Sequence, residues 1–224
     1  LGRLRRRVRT DLRGRGLDRN RVLAAAVRLI DKGLFRAGGD EYPTYGIATL
    51  EVQHVDLRPP RMTFSYDGKS GVEQRVTISD VLVAPVVRQL CADRKPSDRL
   101  LAYRDGDEWR EIHAADINEY LRAASAADMT AKDLRTWHAT VIAAIELADA
   151  GPAASQRAQQ RTIRQVMRTV ADELGNTPAV ARASYVDPLV IEMYRHGETA
   201  EVPPSARRGG LGAETAVLRL LSAD

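Results

Sequence analysis

FSYDGKSGVEQ, residues 64–74, admits two readings, and the choice between them decides what kind of chain this is. Gly68-Lys69-Ser70 has the tail of a phosphate-binding P-loop, but that pattern needs a glycine five residues before the second one, and Thr63 stands there. The flanks speak against it as well. Met62, Phe64 and Tyr66 alternate before the turn and Val76 and Ile78 after it, which is the period of a strand on both sides, whereas a P-loop opens into a helix. The stretch is therefore a hairpin with Asp67-Gly68-Lys69-Ser70-Gly71 at its tip. On these residues alone Lys69 is a solvated charge on a turn.

Outward from the hairpin the chain is mostly helical. Asp18 caps a helix whose apolar positions, Val22, Leu23, Ala26, Val27, Ile30 and Leu34, recur at three and four, and Gly33 marks its end. Strands are predicted at 47–57, 61–66 and 73–78, broken by Pro59-Pro60 and the turn, and they make a small three-stranded antiparallel sheet. Helices are predicted at 79–92, 114–125, 131–149, 156–174, 178–184, 188–196 and 212–222. Thr130 with Asp133 resembles a capping box, which puts Arg135 in the second turn of its helix. Thr177-Pro178 and Asp187-Pro188 are both cap-plus-proline starts, so Tyr185 lies in a bend between two helices. Ile163, Val166, Met167, Val170 and Leu174 form an apolar stripe that belongs to a core. The class is α+β, mainly α.

The 224 residues include a single cysteine, Cys91, which excludes a disulfide framework and a cysteine-based zinc site. No signal peptide and no run of membrane-span length is present, so the expectation is a cytoplasmic chain without membrane contact. It starts with Leu and runs straight into charge, as a fragment or processed chain would. Net charge is only +4, yet residues 1–36 hold twelve basic residues against Asp11, Asp18 and Asp31, a local +9 that leaves −5 for the remainder. A block of this kind is either a solvated helix-forming tail or a surface for a polyanion, with nucleic acid first among candidates. Residues 1–17 are read as this basic segment, 18–200 as one domain, and 201–224 as a Pro/Gly linker with a final helix.

HExxH, GxSxG, a dinucleotide loop and an aspartate cluster with metal spacing are all missing. His54, His113, His138 and His196 share no ligand spacing, so neither metal nor cofactor is expected. What remains is FRAGGDEY at 35–42, the hairpin lysine, KDLRTWH at 132–138 and GNTPAVARASY at 175–185. In this order and spacing they resemble the catalytic domain of type IB DNA topoisomerases, the compact bacterial and viral branch, from about Arg21 to Tyr194. Nothing in the chain corresponds to the small N-terminal clamp domain of that family.

The resemblance implies the tyrosine recombinase/topoisomerase IB catalytic-domain fold and a nucleoid-associated monomer acting on double-stranded DNA. It also implies relaxation through transient cleavage of one strand, a 3′-phosphotyrosyl link and resealing. By the same resemblance Tyr185 is the nucleophile, Arg36 and Arg135 hold the scissile phosphate, Lys69 protonates the departing 5′ oxygen, and Asn176 stands where viral members usually have His. Lys132 is a possible support for proton transfer. The basic segment, with Arg5, Arg6, Arg7 and Arg9, is a candidate DNA contact. These residue types suit the chemistry: guanidinium forks match the oxygens of a phosphodiester attacked by a phenol, and lysine lowers its pKa readily among other cations. The nearest rival is a tyrosine recombinase. FRAGGDEY, and Lys132 where recombinases often have His, favour the topoisomerase. A non-enzymatic DNA-binding module is the rival from another class.

Overall fold

The computed structural model of the chain describes residues 1–39, 44–68, 73–206 and 210–222. It divides into two compact units, Leu1–Leu134 and Arg135–Asp224, and the boundary falls inside the span 18–200 read above as one domain.

The first unit is built on a helix with almost no polar side. Helix α2 (Arg19–Gly33) buries every residue from Val22 to Val27, and Leu29 and Ile30 as well. Its entry is fixed as the sequence indicates, by the Asp18 carboxylate accepting from the Arg21 N–H at 3.0 Å. Residues 1–17 are not a free tail. They contain helix α1 (Gly2–Leu12), which packs on α2 through buried Leu4, Val8 and Leu12; such side chains contribute about 1.5–3 kcal/mol each when fully buried. Charges reinforce this pair and tie α4 (Ala114–Ser125) to it. Arg5 forks onto both oxygens of Asp31 on α2, at 2.8 and 2.9 Å. Tyr120 of α4 donates to Asp11 at 2.8 Å; burial, with that carboxylate, raises the phenol's pKa.

Strands β1 (Val55–Arg58), β2 (Arg61–Asp67) and β3 (Glu73–Ser79) form the expected antiparallel sheet in the order β1-β2-β3. Val55 pairs with Phe64, Met62 with Ile78 and Asp67 with Glu73, and Met62, Phe64 and Tyr66 face the core. The tip residues 69–72, Lys69 among them, lie outside the described residues. Three details differ from the sequence reading. The first strand starts at Val55, because Gly46 accepts the Thr49 and Leu50 N–H groups in a turn and Val52–His54 is a single 3-10 turn. The helix predicted at 79–92 is α3 (Ala84–Cys91), delayed because the Asp80 carboxylate takes the Leu82 and Val83 N–H groups. A second hairpin, β4 (Ala102–Asp105) with β5 (Glu108–Glu111), was not foreseen; the guanidinium carbons of Arg94 and Arg104 lie over its Trp109 ring, 4.5 and 4.8 Å from the ring centre.

The second unit is helical. It holds α5 (Ala131–Ala150) from Arg135 onward, α6 (Gln156–Leu174), α7 (Pro178–Ser184), α8 (Pro188–Arg195) and α9 (Leu211–Leu221). The stripe Ile163, Val166, Met167, Val170 and Leu174 is buried as its spacing requires, together with Ala139, Ala143, Val190, Tyr194 and Val217. Buried Tyr194 donates to the Gly151 carbonyl at 3.0 Å. No helix among the described residues is long and apolar enough to cross a membrane.

One crossing in the first unit bears directly on Arg36. The Ile47 N–H donates to the Arg36 carbonyl at 2.8 Å and the Ala48 N–H to the Ala37 carbonyl at 2.9 Å, which presses Gly46 against Gly38. A Cβ on Gly46 would meet the Gly38 backbone at 2.4 and 2.5 Å, while one on Gly39 would meet nothing within 4 Å. Gly46→Ala is therefore expected to lower unfolding stability by roughly 1–3 kcal/mol through backbone displacement. Gly39→Ala should stay within about 0.5 kcal/mol of the parent. Chemical denaturation of the two variants checks both.

Candidate active site

Tyr185 is the residue at which α7 stops. Thr177 caps the start of α7 with Pro178 in the first turn, and Asp187 caps α8 by accepting the Leu189 N–H at 3.0 Å. Between these fixed ends Tyr185 leaves the helix with φ −132° and ψ −29° and is half-buried. Its N–H and that of Val186 both donate to the Ala181 carbonyl, at 3.1 and 3.0 Å.

Arg135 stands against it. The side chain is only 3% exposed, and its guanidinium carbon lies 5.2 Å from the centre of the Tyr185 ring, within the range of a cation–π contact. Nη2 donates to the Leu174 carbonyl at 3.0 Å. That carbonyl belongs to the last turn of α6, where Gly175 takes the left-handed conformation (φ 59°) and the Asn176 N–H returns to the Ala171 carbonyl at 2.8 Å. A helix end leaves its final carbonyls without partners inside the helix, and Arg135 meets one of them. Arg135 thus contacts Tyr185 and the residue two before Asn176.

The other residues picked out by sequence stand as follows. Arg36 is half-buried in the first unit, with its backbone held by Ile47 as described. Buried Phe35 beside it meets Phe64 edge-on at 5.1 Å and stacks on Tyr66 at 6.0 Å. Lys69, and Asp40, Glu41 and Tyr42 of FRAGGDEY, lie outside the described residues. Lys132 is exposed in the first turn of α5, whose start is set by the Asp133 carboxylate accepting the Thr130 N–H at 2.8 Å. Of the four candidate arginines on α1 named above, Arg5 is bound to Asp31 and Arg7 to Asp11. Arg6 and Arg9 are exposed and, among the described residues, make no ion pair.

Two features escaped the sequence reading. Arg157, Arg161, Arg164 and Arg168 are all exposed on α6. At 3.6 residues per turn they fall within about 60° of arc and run about 16 Å along the helix. No acidic residue occurs between Asp149 and Asp172, and none of the four makes an ion pair among the described residues. The spacing was legible; the apolar stripe on the opposite side of the same helix drew the reading instead. The second is Thr140, buried on α5 five residues after Arg135, whose hydroxyl meets the backbone on either side of Val186. No sequence signal marks it. Among the described residues no group of three or more His, Cys, Asp or Glu side chains is placed to hold a metal ion.

A mainly helical chain with a small antiparallel sheet agrees with the fold that the resemblance of its motifs implies. Comparison with known families bears this out: residues 1–198 match the family described as eukaryotic DNA topoisomerase I, catalytic core. The chain belongs to that family. It is also 26% identical over 191 residues to a DNA topoisomerase 1B of Acanthamoeba polyphaga mimivirus, an alignment that covers 80% of this chain and 56% of the viral protein. The chain thus spans little more than half the length of that relative.

Proposed function

We propose that this chain is a catalytic domain that relaxes supercoiled double-stranded DNA by cutting and resealing one strand through Tyr185. The observation that carries the reading is the Arg135 guanidinium over the Tyr185 ring in a member of this family. In the proposed reaction the Tyr185 phenol oxygen attacks a backbone phosphorus, its proton is lost, and the bond from phosphorus to the 5′ oxygen breaks. The strand is left joined to the protein as a 3′-phosphotyrosyl ester. The free 5′ hydroxyl attacks that ester in the reverse step and restores the strand. One phosphodiester is exchanged for another, so no nucleotide is consumed.

Arg135, Arg36 and Asn176 are proposed to donate hydrogen bonds to the phosphate oxygens that gain charge. One aimed donor is typically worth about 10² to 10³ in rate. Lys69 is proposed to protonate the leaving 5′ oxygen, a role typically worth about 10² to 10⁴, with Lys132 in support. The assignments of Arg36, Lys69, Asn176 and Lys132 rest on the family resemblance. DNA is proposed to bind as to a monomer, with the exposed arginines of α6 and with Arg6 and Arg9 as phosphate contacts. Their lack of acidic partners among the described residues supports this. Arg5 and Arg7 are occupied within the fold and are weaker candidates.

Tyr185→Phe is expected to give no covalent adduct when complexes are trapped with denaturant, while DNA affinity stays within about threefold, because one hydroxyl is lost from a largely electrostatic interface. The parent chain should relax a plasmid that carries no special site, which a site-specific recombinase would not do. An adduct persisting in the Phe variant removes Tyr185 from the mechanism. Lys69→Ala should slow cleavage of an ordinary strand by about 10² or more and leave unchanged a substrate whose leaving group is a 5′ thiolate, since a thiolate departs without a proton. Equal slowing on both substrates makes Lys69 a binding residue. Replacing Arg157, Arg161, Arg164 and Arg168 with Gln should flatten the plot of log affinity against log salt by about 0.9 for each phosphate no longer neutralised. An unchanged slope leaves the row facing solvent.

A further inference from the structure

We propose that Thr140 is a positioning residue that sets the backbone of Tyr185; this rests on the reading of Tyr185 as the nucleophile. A hydroxyl has one proton to give and two lone pairs to receive with. The Thr140 hydroxyl donates to the Tyr185 carbonyl, a long contact at 3.4 Å, and accepts the Asp187 N–H at 3.0 Å. These two backbone groups face each other across Val186, whose side chain is buried.

Their partners explain why a side chain is needed there. The N–H groups of Tyr185 and Val186 are both taken by the Ala181 carbonyl as α7 ends, and the Asp187 carboxylate is taken by the Leu189 N–H as α8 begins. The Tyr185 carbonyl and the Asp187 N–H are left over by both helices, in a part-buried bend where unpaired backbone groups are costly. One hydroxyl on a third helix serves both. It sits about one and a half turns of α5 beyond Arg135, whose guanidinium lies over the ring of the same tyrosine. Helix α5 therefore holds residue 185 twice, by its ring and by its main chain. Tyr185 leaves the helix at this point, so its direction is set by these tethers rather than by helical geometry. A displacement of about 1 Å between reacting groups can cost about 10² in rate.

The test uses the whole chain and a duplex substrate at saturating concentration, with cleavage followed in a single turnover. Thr140→Val keeps the shape and removes the hydroxyl, while Thr140→Ser keeps the hydroxyl. We expect Thr140→Val to cleave about ten- to a hundredfold more slowly with Kd unchanged within about twofold, and Thr140→Ser to stay within about threefold of the parent. Amide hydrogen exchange at Asp187 should quicken in the Val variant and remain protected in the Ser variant. If a thermal melt shows that the Val variant is unfolded at assay temperature, Thr140→Ala carries the same comparison. Parent-like cleavage in a folded variant whose Asp187 amide exchanges freely overturns the proposal, as does equal slowing in the Val and Ser variants. A parent chain that forms no adduct on Tyr185 overturns the nucleophile reading instead, and the exchange at Asp187 still reports whether the tether exists.

Discussion

Burying a guanidinium is expensive unless its hydrogens are met, because arginine stays charged at any pH a protein experiences. At 3% exposure Arg135 imposes that condition on the second unit. The Leu174 carbonyl meets it from one side, and that carbonyl is available only because α6 ends at a left-handed Gly175 instead of continuing. The face of the Tyr185 ring meets it from another side, at the end of α7. One cation thereby fixes the ends of two helices relative to α5. The same geometry keeps the charge beside a phenol.

The exposed arginines of α6 obey a different logic. Like charges at spacings of three and four repel along a helix, each pair costing a few tenths of a kcal/mol. In the first unit such costs are offset within the fold: Arg5, Arg7, Arg19 and Arg28 each reach a carboxylate. On α6 no carboxylate is set against Arg157, Arg161, Arg164 or Arg168 among the described residues. An unpaired row of this kind is what the proposed phosphate contact requires. The basic block at 1–36, by contrast, gives up part of its +9 within the fold, because Arg19 and Arg28 pair with Asp116 and Asp80 outside the block; the Arg5–Asp31 and Arg7–Asp11 pairs are already inside that sum.

Features set by neighbours in sequence were legible. Asp18, Thr177-Pro178 and Asp187-Pro188 mark helix starts by hydrogen bonds that span only a few residues, and the structure has those starts. The alternation of Met62, Phe64 and Tyr66 likewise became the buried side of β2. Features set by distant partners were not. Strand β5 is exposed along its whole length, so it carries no apolar period to detect, and only Asp105-Gly106 hinted at a turn. Residues 47–54 have strand composition but are bent by hydrogen bonds to Arg36 and Ala37. Thr140 meets its partners 45 and 47 residues away, and a lone threonine inside a helix announces neither. In the proposed site the residue types could be read from the motifs, while the supports that orient them could not.

Arg36 and Tyr185 share a circumstance that explains why such supports exist. Each lies at or just past a helix end: Arg36 follows Leu34, whose φ of 56° closes α2, and Tyr185 closes α7. A side chain placed there escapes the crowding of a helix face and can approach a large ligand, but helical hydrogen bonding no longer dictates its backbone. Precision must then come from groups remote in sequence. For Arg36 it comes from the Ile47 N–H, from the contact of Gly46 with Gly38, and from Phe35 packed on Phe64 and Tyr66. For Tyr185 it comes from the Ala181 carbonyl, the Thr140 hydroxyl and the Arg135 guanidinium. The glycines of the first device and the threonine of the second have no reacting atom to offer. Their types are nonetheless constrained, since a Cβ on Gly46 or a methyl in place of the Thr140 hydroxyl would release the backbone of the residue each holds.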